Sequence, residues 1–348
     1  MGSLRELRRM MYLTMALVFI VFVILIGGIT FLFQLNAAVS LIVGLLLAGL
    51  FMLFYWAIGP FMVQLSTRPH YLQKGENAFL EGMVTELATK SGVKMPRLAI
   101  TPDRTPNAFV FGRTASDATL AVNQGLLENL NQDEIRGVIG HELGHIKHRD
   151  YIVVTMLAAL PLIAYVIARS LLQAEFYGGG MRSKDSKNSA AALIAIAALA
   201  YVVYFLSHLL VLFLTRLRES YADAYSAYLL GNPRALESAL TKIAYGLSLA
   251  PEHPNGARGF FFEDPVQAKS EVAELMQNKN QYDLDHDGVL NEKELENAMQ
   301  QEARSNWHKI NGLFATHPPV FRRILMLRQI EQEQSTGHFT EDKIYAHV

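Results

Sequence analysis

Residues 141–150 read HELGHIKHRD, and the run His141-Glu142-Leu143-Gly144-His145 carries the chemistry of the chain. Histidines four residues apart lie on one face of an α-helix, so both imidazole rings can point at one ion. Neutral imidazole suits Zn²⁺, and two such ligands leave room for a third side chain and a water molecule. Glu142 projects about 100° round the helix from His141, which keeps its carboxylate off the metal but near that water. The pattern predicts a zinc site that activates water, with Glu142 taking its proton.

The segment Asp133–His148 is predicted to form the helix that carries this motif. Asn131 is suited to the N-cap position, and Glu134 three residues later completes an approximate capping box. Apolar side chains surround the two histidines of the motif and favour a half-buried helix. His148 would need a different geometry to bind the same ion, so we expect it at the surface or behind the ligands.

A third metal ligand must come from elsewhere in the chain. The pattern that supplies a third histidine six residues after the second fails, because that position is Tyr151. The other solution is a carboxylate on a separate helix, and Glu219 in the segment RESYAD (residues 218–223) meets this requirement. Glu219 and Asp223 are again four residues apart. One of them can bind the metal while the other accepts a hydrogen bond from a ligand histidine.

Four long apolar runs explain why the chain is 51% hydrophobic and only 18% charged. They are Met11–Phe33, Ala37–Gly59, Tyr151–Ala168 and Ala190–Leu214. Each is about 18–25 residues without a formal charge, enough as a helix to cover most of the roughly 30 Å hydrocarbon core of a bilayer. A buried core helix is the alternative for any single run. We predict two membrane-spanning hairpins, the second less regular because Pro161 interrupts its first run.

Basic residues orient the first hairpin. Three arginines precede it and two basic residues follow it: Arg5, Arg8, Arg9, Arg68 and Lys74. The connector Gln34–Asn36 has no Lys or Arg, so the positive-inside bias predicts that both ends of the hairpin lie in the cytoplasm. We therefore expect a multi-pass protein of the cell inner or plasma membrane. Two further crossings return the chain to its starting side, so His145 and Glu219 can meet there.

The overall charge and the lack of cysteine exclude several classes of protein. The 348 residues include 31 Lys and Arg against 32 Asp and Glu, which gives a formal net charge of −1. The chain has no overall positive charge that would attract nucleic acid, so we expect no nucleic-acid partner. The absence of cysteine from the sequence excludes a disulfide scaffold, thiolate zinc ligands and a cysteine nucleophile.

Between the hairpins, Arg68–Asp150 has the composition of a soluble domain. Helical periodicity covers Asn77–Ser91. Three short strands are predicted at Arg97–Thr101, Asn107–Gly112 and Thr119–Asn123.

These motifs together resemble a known family. The segment HELGHIKHRD, followed by a hydrophobic hairpin and then ESYAD, resembles the HtpX-type integral-membrane zinc metalloproteases, which are gluzincins related to the CAAX prenyl proteases. The resemblance covers roughly Arg68–Arg234 and the region around His317. It implies a mainly α, membrane-embedded fold, in which transmembrane helices accompany a gluzincin-like α+β protease domain with a small edge sheet. It also implies protein substrates, above all misfolded or damaged membrane proteins.

The resemblance assigns a role to each residue of the two motifs. It implies that His141, His145 and Glu219 bind one catalytic Zn²⁺. It also implies that Glu142 is the general base and that Asp223 orients a ligand histidine, namely His141.

Two further segments are similar to elements of the same family. Asn107-Ala108-Phe109 resembles the edge strand on which gluzincins hold an extended peptide, with the asparagine bonding the substrate backbone. An unpaired strand edge can bind any sequence through its main chain. His317-Pro318-Pro319 resembles the late His-Pro element, whose histidine can donate to the developing oxyanion. An ordinary strand and an exposed histidine at a helix start are the alternatives.

The segment Asp283–Glu294 matches the template of an EF-hand calcium loop. Acidic groups occupy loop positions 1, 3, 5 and 12, glycine occupies position 6, and asparagine occupies position 9. The predicted Ca²⁺ ligands are Asp283, Asp285, Asp287, Val289 (through its carbonyl), Asn291 and Glu294. The HtpX-type pattern lacks this insertion. Our hypothesis is that calcium orders this segment and so places His317 or the substrate groove; the alternative is an acidic loop that binds no ion.

The sequence thus predicts four parts. They are a transmembrane hairpin (1–60), a cytosolic protease part with the HELGH helix (61–150), a second transmembrane hairpin (151–215) and a C-terminal protease part (216–348) with the EF-hand-like insertion at about 268–307. The leading prediction is a membrane-anchored zinc endopeptidase. A CAAX-type prenyl-protein protease is the alternative enzyme. A calcium-responsive membrane binding module with a structural zinc site is the non-catalytic alternative, although such a site would use four protein ligands and the sequence offers three.

Overall fold

The structure is a computed structural model, and it describes most of the chain. The described residues are 3–32, 35–157, 159–177, 186–249, 279–282, 284, 297–298, 301, 315–334 and 340–348. All six predicted calcium ligands lie outside these ranges.

The chain divides into two compact units. One contains residues 9–59 and 152–214, and the other contains residues 1–8, 60–151 and 215–348. The first unit consists of apolar helical segments. The second contains the sheet and the helix that carries the HELGH motif.

Three of the described helices are long and apolar enough to cross a membrane. They are α1 (Leu4–Leu32), α2 (Ala37–Thr67) and α8 (Ser186–Leu230), the last with its apolar part at Ile194–Leu230. Large apolar side chains on α1 and α2 are exposed, including Ile24 at 58% and Leu46 at 67%. Such exposure fits contact with lipid and would be unfavourable in water.

The third predicted apolar run is divided between α6 (Asp150–Leu157) and α7 (Ala159–Tyr177). Residue 158 lies outside the described residues. The apolar part of α7, Ile163–Gln173, is too short to cover a bilayer core by itself. A span at this place in the chain therefore stays a prediction.

A four-stranded sheet forms the β part of the second unit. Its strands are β1 (His70–Tyr71), β2 (Arg97–Thr101), β3 (Ala108–Phe111) and β4 (Thr119–Asn123), in the order β1-β2-β4-β3. The β2–β4 pair is parallel, and the β1–β2 and β3–β4 pairs are antiparallel. The three predicted strands are confirmed, and β3 lies at an edge of the sheet. Strand β1, which the sequence analysis missed, has only two residues and so shows no alternating pattern.

Helix α5 (Gln132–His148) carries the HELGH motif. Its capping box is confirmed, since the Asn131 side chain accepts from the Glu134 N–H and the Glu134 side chain accepts from the Asn131 N–H. Thirteen of its residues are buried, more than the half-buried helix that the sequence predicts. Helix α3 (Ala78–Ser91) and strand β3 both pack against α5.

This unit contains further helices among the residues that the structure describes. They are α4 (Gln124–Asn129), α9 (Pro233–Leu249), α10 (Val320–Gln334) and α11 (Glu341–Ile344), with short helical turns at Lys279–Tyr282 and Tyr345–His347. Helix α9 packs against both α5 and α10.

Two glycines on α5 explain how α8 comes close to the HELGH motif. A Cβ atom at Gly140 would lie 2.8 Å from the Ser226 Oγ, and one at Gly144 would lie 3.2 Å from the Ala222 Cα. Any larger residue would push the two helices apart. Ala222 and Ser226, the small residues at these contacts, lie on the same face of α8 as Glu219 and Asp223, because the four positions are three or four residues apart. Close packing of α5 and α8 therefore brings the two motifs together.

Candidate metal centre

His141, His145 and Glu219 converge in the structure. The Nε2 atoms of the two histidines are 3.1 Å apart. Glu219 Oε2 lies 3.2 Å from the His141 Nε2, and Glu219 Oε1 lies 3.5 Å from the His145 Nε2. All three side chains are at least 95% buried, and each offers one ligand atom to a single ion. Residues from α5 and α8, separated by a whole apolar hairpin in sequence, therefore form one candidate metal centre.

The charges buried around this centre fit a divalent cation. Of the described residues there, four carboxylates and two guanidinium groups are almost fully buried: Glu142, Asp150, Glu219, Asp223, Arg218 and Arg323. When the carboxylates are ionised and the imidazoles neutral, two negative charges are left without compensation. Buried charge of this kind must be paired or bind a metal. A Zn²⁺ ion matches both this charge and the two-nitrogen, one-oxygen ligand set.

His145 gives a second indication that the centre requires positive charge. Burial would lower the pKa of His145, but the negative charges of Asp150 and Glu219 raise it to about 10. Without an ion, the carboxylates thus hold a proton on a ligand histidine. A bound cation would supply the positive charge that this proton supplies in its absence.

Asp150 fixes the orientation of His145. Its Oδ2 lies 2.9 Å from the His145 Nδ1, which leaves Nε2 to bind the metal. Helix α5 ends at His148, and the residue that caps it, Arg149, has a φ of +60° in the left-handed region, which changes the direction of the chain. This turn brings Asp150 to a histidine five residues earlier. The sequence analysis quoted Asp150 within the motif segment but gave it no role.

Asp223 fixes the orientation of His141. Its Oδ1 lies 2.8 Å from the His141 Nδ1, the arrangement that the resemblance implies. Arg323 on α10 donates to both oxygens of Asp223, with its Nε and its Nη2 each 2.7 Å away. Arg323 is 1% exposed, and the sequence analysis missed it. A third helix thus contributes to the centre through Asp223.

Glu142 is 2% exposed, beside the two histidines. Burial is the main cause that raises its pKa, against the opposing effect of His145 and His141. A raised pKa suits a carboxylate that must accept a proton and then release it.

His148 is 2% exposed, so of the two positions expected for it, at the surface or behind the ligands, the surface position is wrong. Its Nε2 lies 3.0 Å from the Tyr345 hydroxyl, and its ring packs edge-on against Tyr221 and Tyr225. Burial lowers the pKa of His148 to about 3, so the ring is neutral. The residue joins the end of α5 to the C-terminal turn Tyr345–His347.

The predicted substrate strand is the edge strand β3. Asn107, just before it, is fully buried, and its Oδ1 accepts from the Ala108 N–H at 2.8 Å. The Asn123 N–H donates to the Asn107 carbonyl, which makes residues 107 and 123 a hydrogen-bonded pair. Because such pairs alternate along an antiparallel ladder, the backbone groups of Phe109 also point to β4, while those of Ala108 and Val110 point away from it. Of these, the Ala108 N–H is already bonded to the Asn107 side chain.

His317 is fully buried just before α10, so the alternative of an exposed histidine is wrong. The Thr316 Oγ1 lies 3.1 Å from its Nδ1. The preceding segment is held to α8, because Arg216 donates to the Ala315 carbonyl at 2.8 Å.

Comparison with known proteins places these features in a family. Residues 74–331 match peptidase family M48. A protein named Protease HtpX homolog from Methanothermobacter thermautotrophicus is 40% identical over 212 residues, which are 60% of this chain and 77% of that protein. Another of that name from Aeropyrum pernix is 33% identical over 285 residues, 82% of this chain and 85% of that protein.

A solved structure, Ste24p of S. mikatae, is also similar to this chain. The TM-score is 0.45 and the sequence identity 15%, over 90% of this chain and 63% of that one.

Proposed function

The chain belongs to peptidase family M48, as a membrane metalloprotease of the HtpX type, and we propose that it hydrolyses peptide bonds at the centre formed by His141, His145 and Glu219. The convergence of the two imidazoles and the carboxylate on one point carries this proposal. Three protein ligands leave a coordination position for water, as a catalytic rather than a structural zinc site requires. Family membership likewise favours the enzyme over the non-catalytic binding module.

In this proposal each of the chain's own residues has a defined role. A bound zinc ion would act as a Lewis acid that polarises the peptide carbonyl and lowers the pKa of a water molecule. Glu142 accepts the proton of the attacking water and delivers it to the leaving amine nitrogen. Asp223 and Asp150 hold the two histidines in the tautomer that directs Nε2 to the metal. His317 donates to the oxyanion of the tetrahedral intermediate in this proposal.

Glu142→Gln tests the assignment of the base. The variant should retain one zinc per chain and lose about 10²- to 10⁴-fold in kcat, because the amide cannot accept the proton. Glu219→Ala is the companion variant, which should lose zinc as well as activity. Cleavage by Glu142→Gln at the wild-type rate would show that another group is the base. Retention of zinc by Glu219→Ala would remove Glu219 from the ligand set.

We propose that the substrate binds as an added strand at the edge of β3. The N–H and C=O groups of Val110 and the C=O group of Ala108, which point away from β4, support this, as does the packing of β3 against α5, which carries the catalytic motif. Main-chain recognition is independent of side chains, so it suits a protease that removes misfolded or damaged membrane proteins of many sequences. Purified enzyme should cleave an unfolded protein that carries no prenyl group. Cleavage of prenylated peptides alone would favour the CAAX-type alternative.

We also propose that the active site faces the cytoplasm. The bias of basic residues around the first hairpin supports this orientation. Because the chain has no cysteine, single cysteines can report on it. A membrane-impermeant maleimide should label Leu35→Cys in the connector of intact cells, and Glu128→Cys only after permeabilisation. The reverse pattern would invert the orientation.

Calcium modulation is a separate proposal that rests on the sequence of Asp283–Glu294. Calcium would order this loop and thereby the segment that leads to His317. Activity of the zinc-loaded enzyme should rise with added calcium, and Asp283→Ala should abolish the response without affecting zinc content. An unchanged rate with a chelator selective for calcium would contradict this proposal.

A further inference from the structure

Arg218 and Glu219 are successive residues on α8, and both are buried, at 3% and 0% exposure. The Arg218 Nε lies 3.1 Å from the Glu219 Oε1, and the Arg218 Nη2 lies 3.1 Å from the same oxygen. Successive residues on a helix do not normally face each other. The contact therefore does not follow from helical spacing, and it brings two N–H groups to one oxygen of the carboxylate.

The second oxygen of Glu219 is in a different situation. Oε2 is buried and accepts no hydrogen bond from the residues that the structure describes. Its neighbour is the His141 Nε2 at 3.2 Å, an atom that also faces the His145 Nε2. An unsatisfied buried acceptor is energetically unfavourable. Oε2 is thus the oxygen that requires a ligand.

We propose that Arg218 is a positioning residue that occupies Oε1 of Glu219 and leaves Oε2 alone to bind the metal. The inference rests on the proposed role of Glu219 as a ligand. A carboxylate that used both oxygens would take the coordination position that a water molecule needs. Arg218 limits Glu219 to one ligand atom and so keeps the centre open for hydrolysis.

Arg218→Met tests this role by removing both donors while retaining an unbranched apolar stem. With Co²⁺ in place of Zn²⁺, the wild type should show the stronger visible absorption of a four-coordinate ion. The variant should show the weaker spectrum of a five-coordinate ion, and kcat should fall about 10- to 100-fold with one metal retained per chain. Arg328→Met, which removes an arginine bound to Glu237 on α9, is the matched control. It should leave the cobalt spectrum unchanged.

A pair of variants at Glu219 gives a test that does not depend on activity. In Glu219→Gln, Arg218 should capture the single amide oxygen and turn the NH₂ group toward the metal, so zinc binding should fall about 100-fold or more. In the double variant with Arg218→Met, the amide can turn and offer its oxygen. The double variant should therefore bind zinc about tenfold more tightly than Glu219→Gln alone.

The outcomes separate this inference from the proposed function. If Glu219→Ala retains full zinc affinity, Glu219 is not a ligand and both proposals are wrong. If Glu219→Ala loses zinc but Arg218→Met leaves the cobalt spectrum and kcat at wild-type values, only the role of Arg218 is wrong. Should Arg218→Met fail to fold, Arg218→Lys serves in its place. Its single ammonium group retains the charge but not the two convergent donors, and a wild-type spectrum for Arg218→Lys would overturn the role.

Discussion

Arg323 donates a hydrogen bond of 2.7 Å to each oxygen of Asp223, and Asp223 Oδ1 also lies 2.8 Å from the His141 Nδ1. Helix α10 is thereby connected to the proposed metal ligand His141 through a single carboxylate. All three side chains are at least 99% buried. The orientation of His141 thus depends on a residue that lies 182 positions away in the sequence.

Arg323→Met should both destabilise the protein and weaken zinc binding. Removing one partner of a buried ion pair typically costs about 3–5 kcal/mol, because the other charge is left unpaired. Loss of the support for Asp223 should also reduce zinc affinity about 10- to 100-fold. Thermal unfolding of the metal-free protein and zinc competition with a chelator measure the two effects separately.

Arg328→Gln on the same helix is the matched control. Its guanidinium lies 2.8 Å from a Glu237 oxygen, but both partners are partly exposed, at 17% and 16%. Such a pair contributes about 1 kcal/mol or less. Equal effects of the two variants would show that Arg323 has no special connection to the metal centre.

Asp150→Asn should weaken zinc binding without unfolding the protein. The amide keeps a polar group near the His145 Nδ1 but loses the negative charge that fixes the tautomer. We expect about a 10- to 100-fold loss of zinc affinity. Asp133→Asn removes a charge from the exposed first turn of the same helix and should leave zinc affinity unchanged. An unchanged affinity in Asp150→Asn would show that the helix alone orients His145.

The sequence predicts those parts of the centre that local patterns determine. The spacing of His141 and His145 on one helix face, and of Glu219 and Asp223 on another, needs only helical periodicity. The capping box at Asn131 is likewise local. Strands β2 and β3 are predicted on either side of the turn-forming segment Pro102–Pro106, and β4 is predicted as a third short strand.

Arg218 and Arg323 were missed because nothing in a local pattern distinguishes a buried arginine from an exposed one. Their roles become visible only when α8 and α10 are placed against the carboxylates that they bind. Asp150 was different, since it stands five residues after His145. Asp150 reaches His145 because Arg149 adopts a left-handed conformation. That conformation is uncommon for arginine, so the sequence does not predict it.

Glu134 makes the stability of the protein depend on pH. Burial would raise its pKa, but hydrogen bonds from Lys242, Ser238 and the Asn131 N–H together hold it below the ordinary value of 4.5. The unfolded chain therefore takes up this proton first as the pH falls. The stabilisation is fully present above about pH 5 and is lost as the pH falls through the folded-state pKa.

Glu134→Gln should reveal this contribution. At pH 7 the variant should unfold at a lower temperature than the wild type, because the charged hydrogen bonds are gone. The difference should shrink as the pH falls below 5, because the wild-type carboxyl takes up its proton when the pH passes through its folded-state pKa. Glu128→Gln, at an exposed position on α4, is the control and should show no such change. A difference in unfolding temperature that is the same at all pH values would contradict the assignment.

Val110→Pro should weaken substrate binding at the edge of β3. The N–H of Val110 points away from β4, so proline removes a donor from the free edge without breaking the ladder. Loss of one backbone hydrogen bond of about 0.5–1.5 kcal/mol should reduce kcat/KM by up to about tenfold on unfolded protein substrates. Val110→Ala keeps the N–H and should lower kcat/KM much less, even where it costs stability. Equal kcat/KM values for the two variants, both folded and zinc-loaded, would show that substrates do not pair with this strand.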